Sequence, residues 1–185
     1  MENAKIMVSG EQIQKRVQEL ARKISQDYAG KKLTLVCILE NGFIFAADLA
    51  RYLQIPVVCR FVRPETREVP GTTTTEIFFG PDLPVAGEHV LLVEALVQSG
   101  QTSEFLIRTM QSRGAASVRL AALINKQAGR RIPLEPDYFG FLLNENYVIG
   151  YGMGLPDLWR NLPYIATVSS PTAVPNIFSQ GKPSI

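Results

Sequence analysis

A short polar segment, Gln98 to Thr102, separates two apolar stretches and has the residue types to bind an anion. Before it, Val90 to Val93 is a run rich in β-branched residues, which predicts a buried strand. After it, apolar residues from Phe105 to Met110 recur at helical spacing and predict a helix beginning near Thr102. A loop entering a helix can point several backbone N–H groups at one anion, and the hydroxyls of Ser99 and Thr102 would assist. A plain turn with a Ser or Thr helix cap would leave the same pattern.

The composition narrows the classes of function. A chain of 185 residues with 46% hydrophobic residues fits one domain with a sizeable core. A net charge of +2 on 19% charged residues provides no basic field, so we expect no nucleic-acid partner. No apolar run approaches the ~20 residues of a membrane span, and no signal-peptide pattern begins the chain. We therefore expect a cytoplasmic protein with no membrane partner.

Strands and helices alternate along the chain. Ser9 and Gln12 spell a capping box, which opens an amphipathic helix that we expect to end at Gly30. Residues 43–53 predict a second helix. Its inward face is predicted to consist of Phe43, Ala46, Ala47, Ala50 and Leu53. Strands are predicted at residues 33–39, 56–62, 90–93, 118–124, 138–142, 147–151 and 164–168. This alternation predicts an α/β fold with a doubly wound, mainly parallel sheet.

Two segments interrupt the alternation. Residues 63–75 contain two prolines and four consecutive threonines and predict a long exposed loop. From Ser169 onward the composition shifts to Ser, Pro, Gly, Thr and Asn, which predicts a disordered tail over 169–185. The remaining residues, 1–168, are expected to form a single domain.

Lys126 follows the predicted strand 118–124. In open α/β sheets, ligands bind at the carboxyl ends of the strands. A ligand-binding role is therefore one interpretation of this lysine, and a solvated surface lysine is the other.

The segment from Val93 to Thr102 resembles the phosphoribosyl-pyrophosphate (PRPP) motif of type I phosphoribosyltransferases. In that family, two adjacent acidic residues and a third one three positions later precede a Thr-Gly-x-Thr phosphate loop. Here the first acid is Glu94, while Ala95 and Gln98 stand at the other two positions. The phosphate loop of the motif is retained, and two of its three carboxylates are absent.

The resemblance extends over residues 9–168 and points to the bacterial hypoxanthine-guanine branch of the family. It rests on Ile38-Leu39, Gly42-Phe43, Phe45, Ala47-Asp48-Leu49, Leu123, Lys126, Asp137-Tyr138, Gly140-Phe141, Val148, Gly150-Tyr151-Gly152 and the run from Arg160 to Ile165. The resemblance implies a twisted, mainly parallel sheet flanked by helices. It also implies a small hood built by the N- and C-terminal parts, a long mobile loop and a homodimer or homotetramer. Such enzymes move ribose 5-phosphate from PRPP to a purine and use Mg²⁺.

The purine side of the implied site is retained. By resemblance, Lys126 contacts the exocyclic oxygen of a 6-oxopurine, Tyr147 stacks on the base, and the backbone of Val148 meets the purine edge. Glu94 holds the ribose hydroxyls. The 5′-phosphate cradle consists of Ser99, Gly100, Gln101 and Thr102. These positions predict that a purine nucleotide or phosphate binds here.

The pyrophosphate and metal side has changed. Gln98 stands where the family has its proton-accepting Asp, and an amide has no useful basicity near neutral pH. Ala95 and Gly154 occupy positions that are normally acidic, so we predict that Mg²⁺ binds weakly or not at all. Glu40 replaces the lysine of the pyrophosphate turn, where a carboxylate would repel a polyanion. The pyrophosphate-side residues are then Glu40, Asn41, Gly42 and the retained Arg160.

Three functions remain open at this point. The first is a purine-salvage homologue that binds a 6-oxopurine nucleoside monophosphate such as GMP or IMP, with impaired or absent transfer from PRPP. The second is a slow but active hypoxanthine/guanine phosphoribosyltransferase that forms IMP or GMP. The third is a non-catalytic regulatory or structural subunit.

Overall fold

A computed structural model describes residues 4–69, 72–78, 83–154 and 158–170. In chain order the elements are β1 (Lys5–Val8), α1 (Gly10–Asp27), β2 (Leu33–Ile38), α2 (Phe43–Tyr52), β3 (Val57–Val69), β4 (Thr72–Phe78), β5 (His89–Val97), α3 (Gln101–Ser112), β6 (Ser117–Asn125), β7 (Tyr138–Leu142), β8 (Tyr147–Ile149) and β9 (Ile165–Val168). None of the helices among these residues is long and apolar enough to cross a membrane.

The main sheet has the strand order β4-β3-β2-β5-β6-β7. Strands β3, β2, β5, β6 and β7 are parallel, and β4 is antiparallel to β3 at one edge. Every residue of β2 is buried, as expected for a central strand covered on both faces. The predicted α/β fold with a mainly parallel sheet is confirmed, and the carboxyl ends of β2, β5 and β6 meet at one edge.

Helix α1 forms where the sequence predicts it. The Ser9 hydroxyl accepts a hydrogen bond from the N–H of Gln12, and the Gln12 side chain accepts one from the N–H of Ser9, so the capping box is present. The buried face consists of Ile13, Val17, Leu20, Ala21 and Ile24. The helix ends at Asp27, three residues before the predicted end at Gly30, which has a φ of +74°.

Helix α2 also forms, but its predicted inward face is wrong in part. Phe45, Ala46 and Leu49 face the core. Phe43 is 44% exposed and Ala47 is exposed. Because each helical residue turns the side-chain direction by about 100°, a core stripe centred on Phe45 and Leu49 leaves Phe43 and Ala47 on the outer side.

The predicted loop over residues 63–75 is wrong for the described part. Strand β3 continues to Val69 and pairs with β4 from Arg63↔Phe78 to Val69↔Thr72. Threonine is β-branched and favours strands, and a two-stranded arm at the edge of a sheet forms its own backbone hydrogen bonds. Residues 70 and 71 of this segment lie outside the described residues.

A second, three-stranded sheet has the order β1-β9-β8 and is antiparallel. It joins the N-terminal strand to the C-terminal strands and is the expected hood. The sequence did not predict β1, because its four residues are too few for a clear alternation. Residues 171–185 of the predicted tail lie outside the described residues.

Candidate functional site

The phosphate loop lies between the end of β5 and the start of α3. Gly100 is the N-cap residue of α3, has a φ of +80° and has no side chain with which to cap the helix. The hydroxyl of the preceding Ser99 accepts a hydrogen bond of 3.4 Å from the N–H of Gln101 in the first turn. The N-cap residue itself is therefore neither a Ser nor a Thr. A helix N-terminus presents backbone N–H donors to an anion. The partly buried Ser99 and Thr102 lie on either side of Gly100 and Gln101.

Lys126 follows β6, the neighbour of β5, and is only 2% exposed. Its backbone N–H donates to the carbonyl of Val97 over 2.9 Å. The interpretation as a solvated surface lysine is wrong. A direct backbone hydrogen bond thus joins Val97, which ends β5 before the phosphate loop, to Lys126, which follows β6.

The loop that leads into the hood strand β8 contacts the segment that follows Lys126. The side chain of Asn144 accepts a hydrogen bond of 3.1 Å from the N–H of Ala128. Both Tyr147 and Val148 belong to β8 and are partly buried. Tyr147 packs against the hood cluster and Val148 against the main core. The loop after β7 therefore connects the hood to the segment after β6.

Glu94 lies on β5, three residues before its end, and is partly buried. Its Oε2 accepts a hydrogen bond of 2.5 Å from the hydroxyl of Ser103, which is 1% exposed. Burial raises the pKa of Glu94 to about 7, while the Ser103 hydrogen bond and the charge of Arg130 oppose this rise. Sequence reasoning missed Ser103, whose only signal was its place in the first turn of α3.

Ala95 and Gln98, which stand at the other two acidic positions of the motif, differ in their exposure to solvent. Ala95 is fully buried in the main core cluster. Gln98 is exposed, and its amide nitrogen would lie 3.0 Å from a Cβ placed on Gly129. The Gln98 side chain therefore lies over the turn that follows Lys126.

The pyrophosphate-side residues converge on Glu40. The Glu40 carboxylate lies 3.0 Å from Nη2 of Arg63 and 3.6 Å from Nη2 of Arg160. Arg160 also donates to the side chain of Asn41 and, over 2.8 Å, to the carbonyl of Gly152. Arg63 was not among the residues predicted for the site, because it belongs to the segment predicted as a loop. Glu40 thus carries its negative charge between two guanidinium groups.

Gly42 and Gly154 are both closely packed. A Cβ on Gly42 would lie 2.7 Å from the carbonyl oxygen of Ile38. A Cβ on Gly154 would lie 2.3 Å from the carbonyl oxygen of Leu158 and 2.9 Å from Cγ of Arg160. Real Cβ atoms essentially never approach so closely, so an acidic residue at position 154 would require the backbone near Leu158 to move.

Two of the positions where the resemblance implies acidic residues carry none in this chain. Ala95 and Gly154 offer no side-chain oxygen at the positions where the resemblance implies acids. Within the described ranges there is no group of three or more His, Cys, Asp or Glu residues that could hold a metal ion. Hard cations such as Mg²⁺ need oxygen ligands, above all carboxylates.

Comparison with known proteins shows that this chain is similar to phosphoribosyltransferases. The phosphoribosyl transferase domain model matches residues 5–157. The hypoxanthine-guanine phosphoribosyltransferase of Streptococcus pneumoniae is 32% identical over 166 residues, which are 89% of this chain and 92% of that protein. The bifunctional protein TilS/HprT of Listeria innocua is 30% identical over 178 residues, which are 95% of this chain but only 27% of that protein.

A solved structure agrees with the fold. The crystal structure of a hypoxanthine-guanine phosphoribosyltransferase from Bacillus anthracis superimposes with a TM-score of 0.83 at 30% identity. The match covers 90% of this chain and 97% of that chain. With the strand order, the phosphate loop after β5 and the buried lysine after β6, these similarities show that the chain belongs to the type I phosphoribosyltransferase family, among relatives that are hypoxanthine-guanine phosphoribosyltransferases.

Proposed function

We propose that this chain is a purine-salvage homologue that binds a 6-oxopurine nucleoside monophosphate, such as GMP or IMP, and has impaired transfer from PRPP. The observation that carries the binding half is the backbone hydrogen bond from Lys126 to Val97. It holds a buried lysine beside the N-terminus of α3, whose N-cap residue is a glycine. A ligand with a phosphate at one end and a carbonyl group at the other matches this pair of donors.

Lys126 favours a ligand with an oxo group. A buried ammonium group is costly unless an acceptor meets it, and the exocyclic oxygen of hypoxanthine or guanine is such an acceptor. Tyr147 provides an aromatic face on the hood and Glu94 an acceptor for ribose hydroxyls. The phosphate would accept hydrogen bonds from the backbone of Gly100 and Gln101 and from the Thr102 hydroxyl.

The residues on the pyrophosphate side support the proposal that transfer from PRPP is impaired. Glu40 holds a negative charge between Arg63 and Arg160, where an incoming pyrophosphate would need those cations. The carbonyl of Leu158 fills the space that a side chain at position 154 would need. A Mg²⁺ ion bound with PRPP would therefore be held by the ligand and water, and hence weakly.

Proton transfer is also impaired in this proposal. Gln98 cannot accept the purine proton, and the loss of a general base typically slows a reaction by about 10²–10⁴-fold. Membership of the family favours one second candidate, a slow phosphoribosyltransferase in which substrate oxygens and water supply the missing metal ligands.

Calorimetric titration of the full chain with GMP, and then with PRPP, tests both halves. Each titration is run with and without Mg²⁺. We expect micromolar binding of GMP and no PRPP binding that depends on Mg²⁺. A protein that binds no purine nucleotide at millimolar concentration would refute the binding half.

Tight, Mg²⁺-dependent binding of PRPP would instead support the slow transferase. A turnover assay with hypoxanthine and guanine then decides between the two candidates, since only a transferase releases pyrophosphate.

Assembly is part of the same proposal: we propose a homodimer or homotetramer, for which the exposed Phe43 at the start of α2 offers apolar area. Light scattering after size exclusion measures this directly, and a monomer at micromolar concentration would contradict it.

A further inference from the structure

The segment after β6 turns back beneath the phosphate loop, and Arg130 lies at the centre of that turn. Its Nη1 donates to the carbonyl of Leu134 and its Nη2 to the side chain of Asn125. Nη2 also lies 3.5 Å from the carbonyl oxygen of Val97 and 3.4 Å from that of Lys126. One guanidinium group, called here the Arg130 bracket, thus contacts the end of β5, the end of β6 and the segment between β6 and β7.

The phosphate loop rests on the same segment through its backbone. The carbonyl of Ser99 accepts hydrogen bonds from the N–H groups of Arg131, at 3.0 Å, and Ile132, at 3.2 Å. A Cβ on Gly100 would lie 3.6 Å from Cδ of Arg130, which is ordinary van der Waals contact. The loop that would carry the phosphate is therefore supported from below by residues 130–132.

The contacts of the Arg130 bracket depend on the planar, forked shape of the guanidinium group. A guanidinium is planar, carries donors in a fixed fork and keeps its charge, whereas an ammonium is a compact point charge. The fork donates from two separate nitrogens, Nη1 to Leu134 and Nη2 to Asn125, whereas an ammonium would have to donate to both from a single nitrogen. Asn125 is itself fixed, because its Nδ2 donates to Glu135 over 2.8 Å.

We propose that Arg130 is a positioning residue, which sets the separation between the phosphate loop and Lys126 so that one nucleotide reaches both. The carbonyls of Val97 and Lys126 face the same guanidinium nitrogen. Val97 precedes the loop and Lys126 contributes the purine contact, so a shift of Arg130 changes the distance between the two half-sites. The proposal rests on the proposed function, since it concerns the nucleotide that function assigns.

The test compares GMP with guanosine by calorimetry, because the two ligands differ only in the phosphate. In Arg130→Lys we expect the ratio of the guanosine Kd to the GMP Kd to fall about tenfold relative to wild type. The guanosine Kd itself should stay within about twofold, because Lys126 and the hood are left in place. Arg131→Lys, an adjacent exposed arginine, is the matched control and should keep the wild-type ratio.

A second readout needs no ligand. Hydrogen exchange of the backbone N–H groups of Arg131 and Ile132 should accelerate in Arg130→Lys and in Arg130→Met, and stay unchanged in Arg131→Lys. The proposal would be overturned if the ratio of the guanosine Kd to the GMP Kd were unchanged in both Arg130 variants. Unchanged hydrogen exchange at the N–H groups of Arg131 and Ile132 would overturn it as well. If wild type bound no GMP, the proposed function would fail, and Arg130 could then position no nucleotide site, whatever the exchange result.

Discussion

The hydroxyl of Ser103, in the first turn of α3, donates a hydrogen bond of 2.5 Å to the carboxylate of Glu94 on β5. It joins the element before the phosphate loop to the element after it. The same carboxylate is the acid that would hold the ribose hydroxyls, and burial raises its pKa to about 7. The ionisation of one side chain therefore affects both ligand binding and stability within the physiological pH range.

Binding of guanosine should tighten as the pH rises from 6 to 8. Ionised Glu94 is the better acceptor for ribose hydroxyls, and with a pKa of about 7 its ionised fraction grows about tenfold over this range. Guanosine is used because it has no phosphate group to titrate. Calorimetry at several pH values measures the effect, and Glu94→Gln should bind guanosine with no pH dependence there. A parallel pH dependence in that variant would assign the effect to another group.

Substitution of Ser103 by alanine should move that transition to higher pH. The hydroxyl stabilises the ionised form of Glu94, so its loss raises the pKa of Glu94 further. The midpoint of guanosine affinity against pH is the quantity to compare. Thr109→Ala, which removes a hydroxyl bonded to the carbonyl of Phe105 in the same helix, is the control and should keep the wild-type midpoint. A lower midpoint in the Ser103 variant would contradict the assignment.

Stability should fall with rising pH because of Glu94. In the unfolded chain this carboxyl ionises at its ordinary pKa near 4.5, whereas in the folded protein it stays protonated up to about 7. The unfolded state therefore loses its proton first, and the folded state loses relative stability between these two values. The difference corresponds to about 3 kcal/mol at most. Glu94→Gln should remove this loss, so urea unfolding should show an advantage of the variant that grows from pH 4.5 to about 7 and then levels off.

The regular elements of the fold follow from local sequence rules. Helix α1 was predictable because Ser9 and Gln12 form the cap and the apolar spacing defines one buried face. The face of α2 was only partly predictable, because its first five residues are all apolar and allow more than one stripe, and only packing shows that Phe45 faces the core. The arm built by β3 and β4 was missed because its stability comes from pairing between strands rather than from a core-facing pattern.

Some features of the candidate site could likewise be predicted from the sequence, and others could not. The loop from Ser99 to Thr102 and the position of Lys126 could be predicted, since both follow strands at the carboxyl edge of the sheet. The partners of Glu40 and Arg130 could not, because they lie far away along the chain or are backbone carbonyls without a sequence signature. The sequence shows that position 154 lacks an acid. Only the structure shows that the carbonyl of Leu158 occupies the space.

A single substitution at Gly154 should not restore metal binding. In Gly154→Ala the new Cβ would lie 2.3 Å from the carbonyl oxygen of Leu158, so we expect a loss of about 1–3 kcal/mol in the free energy of unfolding. Gly154→Asp should suffer at least the same loss and still bind PRPP without dependence on Mg²⁺. Thermal unfolding and calorimetry measure the two effects. If Gly154→Ala were as stable as wild type, the close approach would not limit this position.

Removal of the negative charge at Glu40 should strengthen binding of pyrophosphate. The Glu40 carboxylate lies between Arg63 and Arg160 and would repel a polyanion, so Glu40→Gln removes that repulsion while both guanidinium groups keep their charge. Because Glu40 and Arg63 are largely exposed, the gain should be modest, about two- to fivefold in the pyrophosphate Kd at low salt and less at high salt. Glu19→Gln, which breaks an exposed ion pair with Arg16 on α1, is the matched control and should leave this Kd unchanged. Equal pyrophosphate affinity in Glu40→Gln and wild type would show that this carboxylate does not exclude the anion.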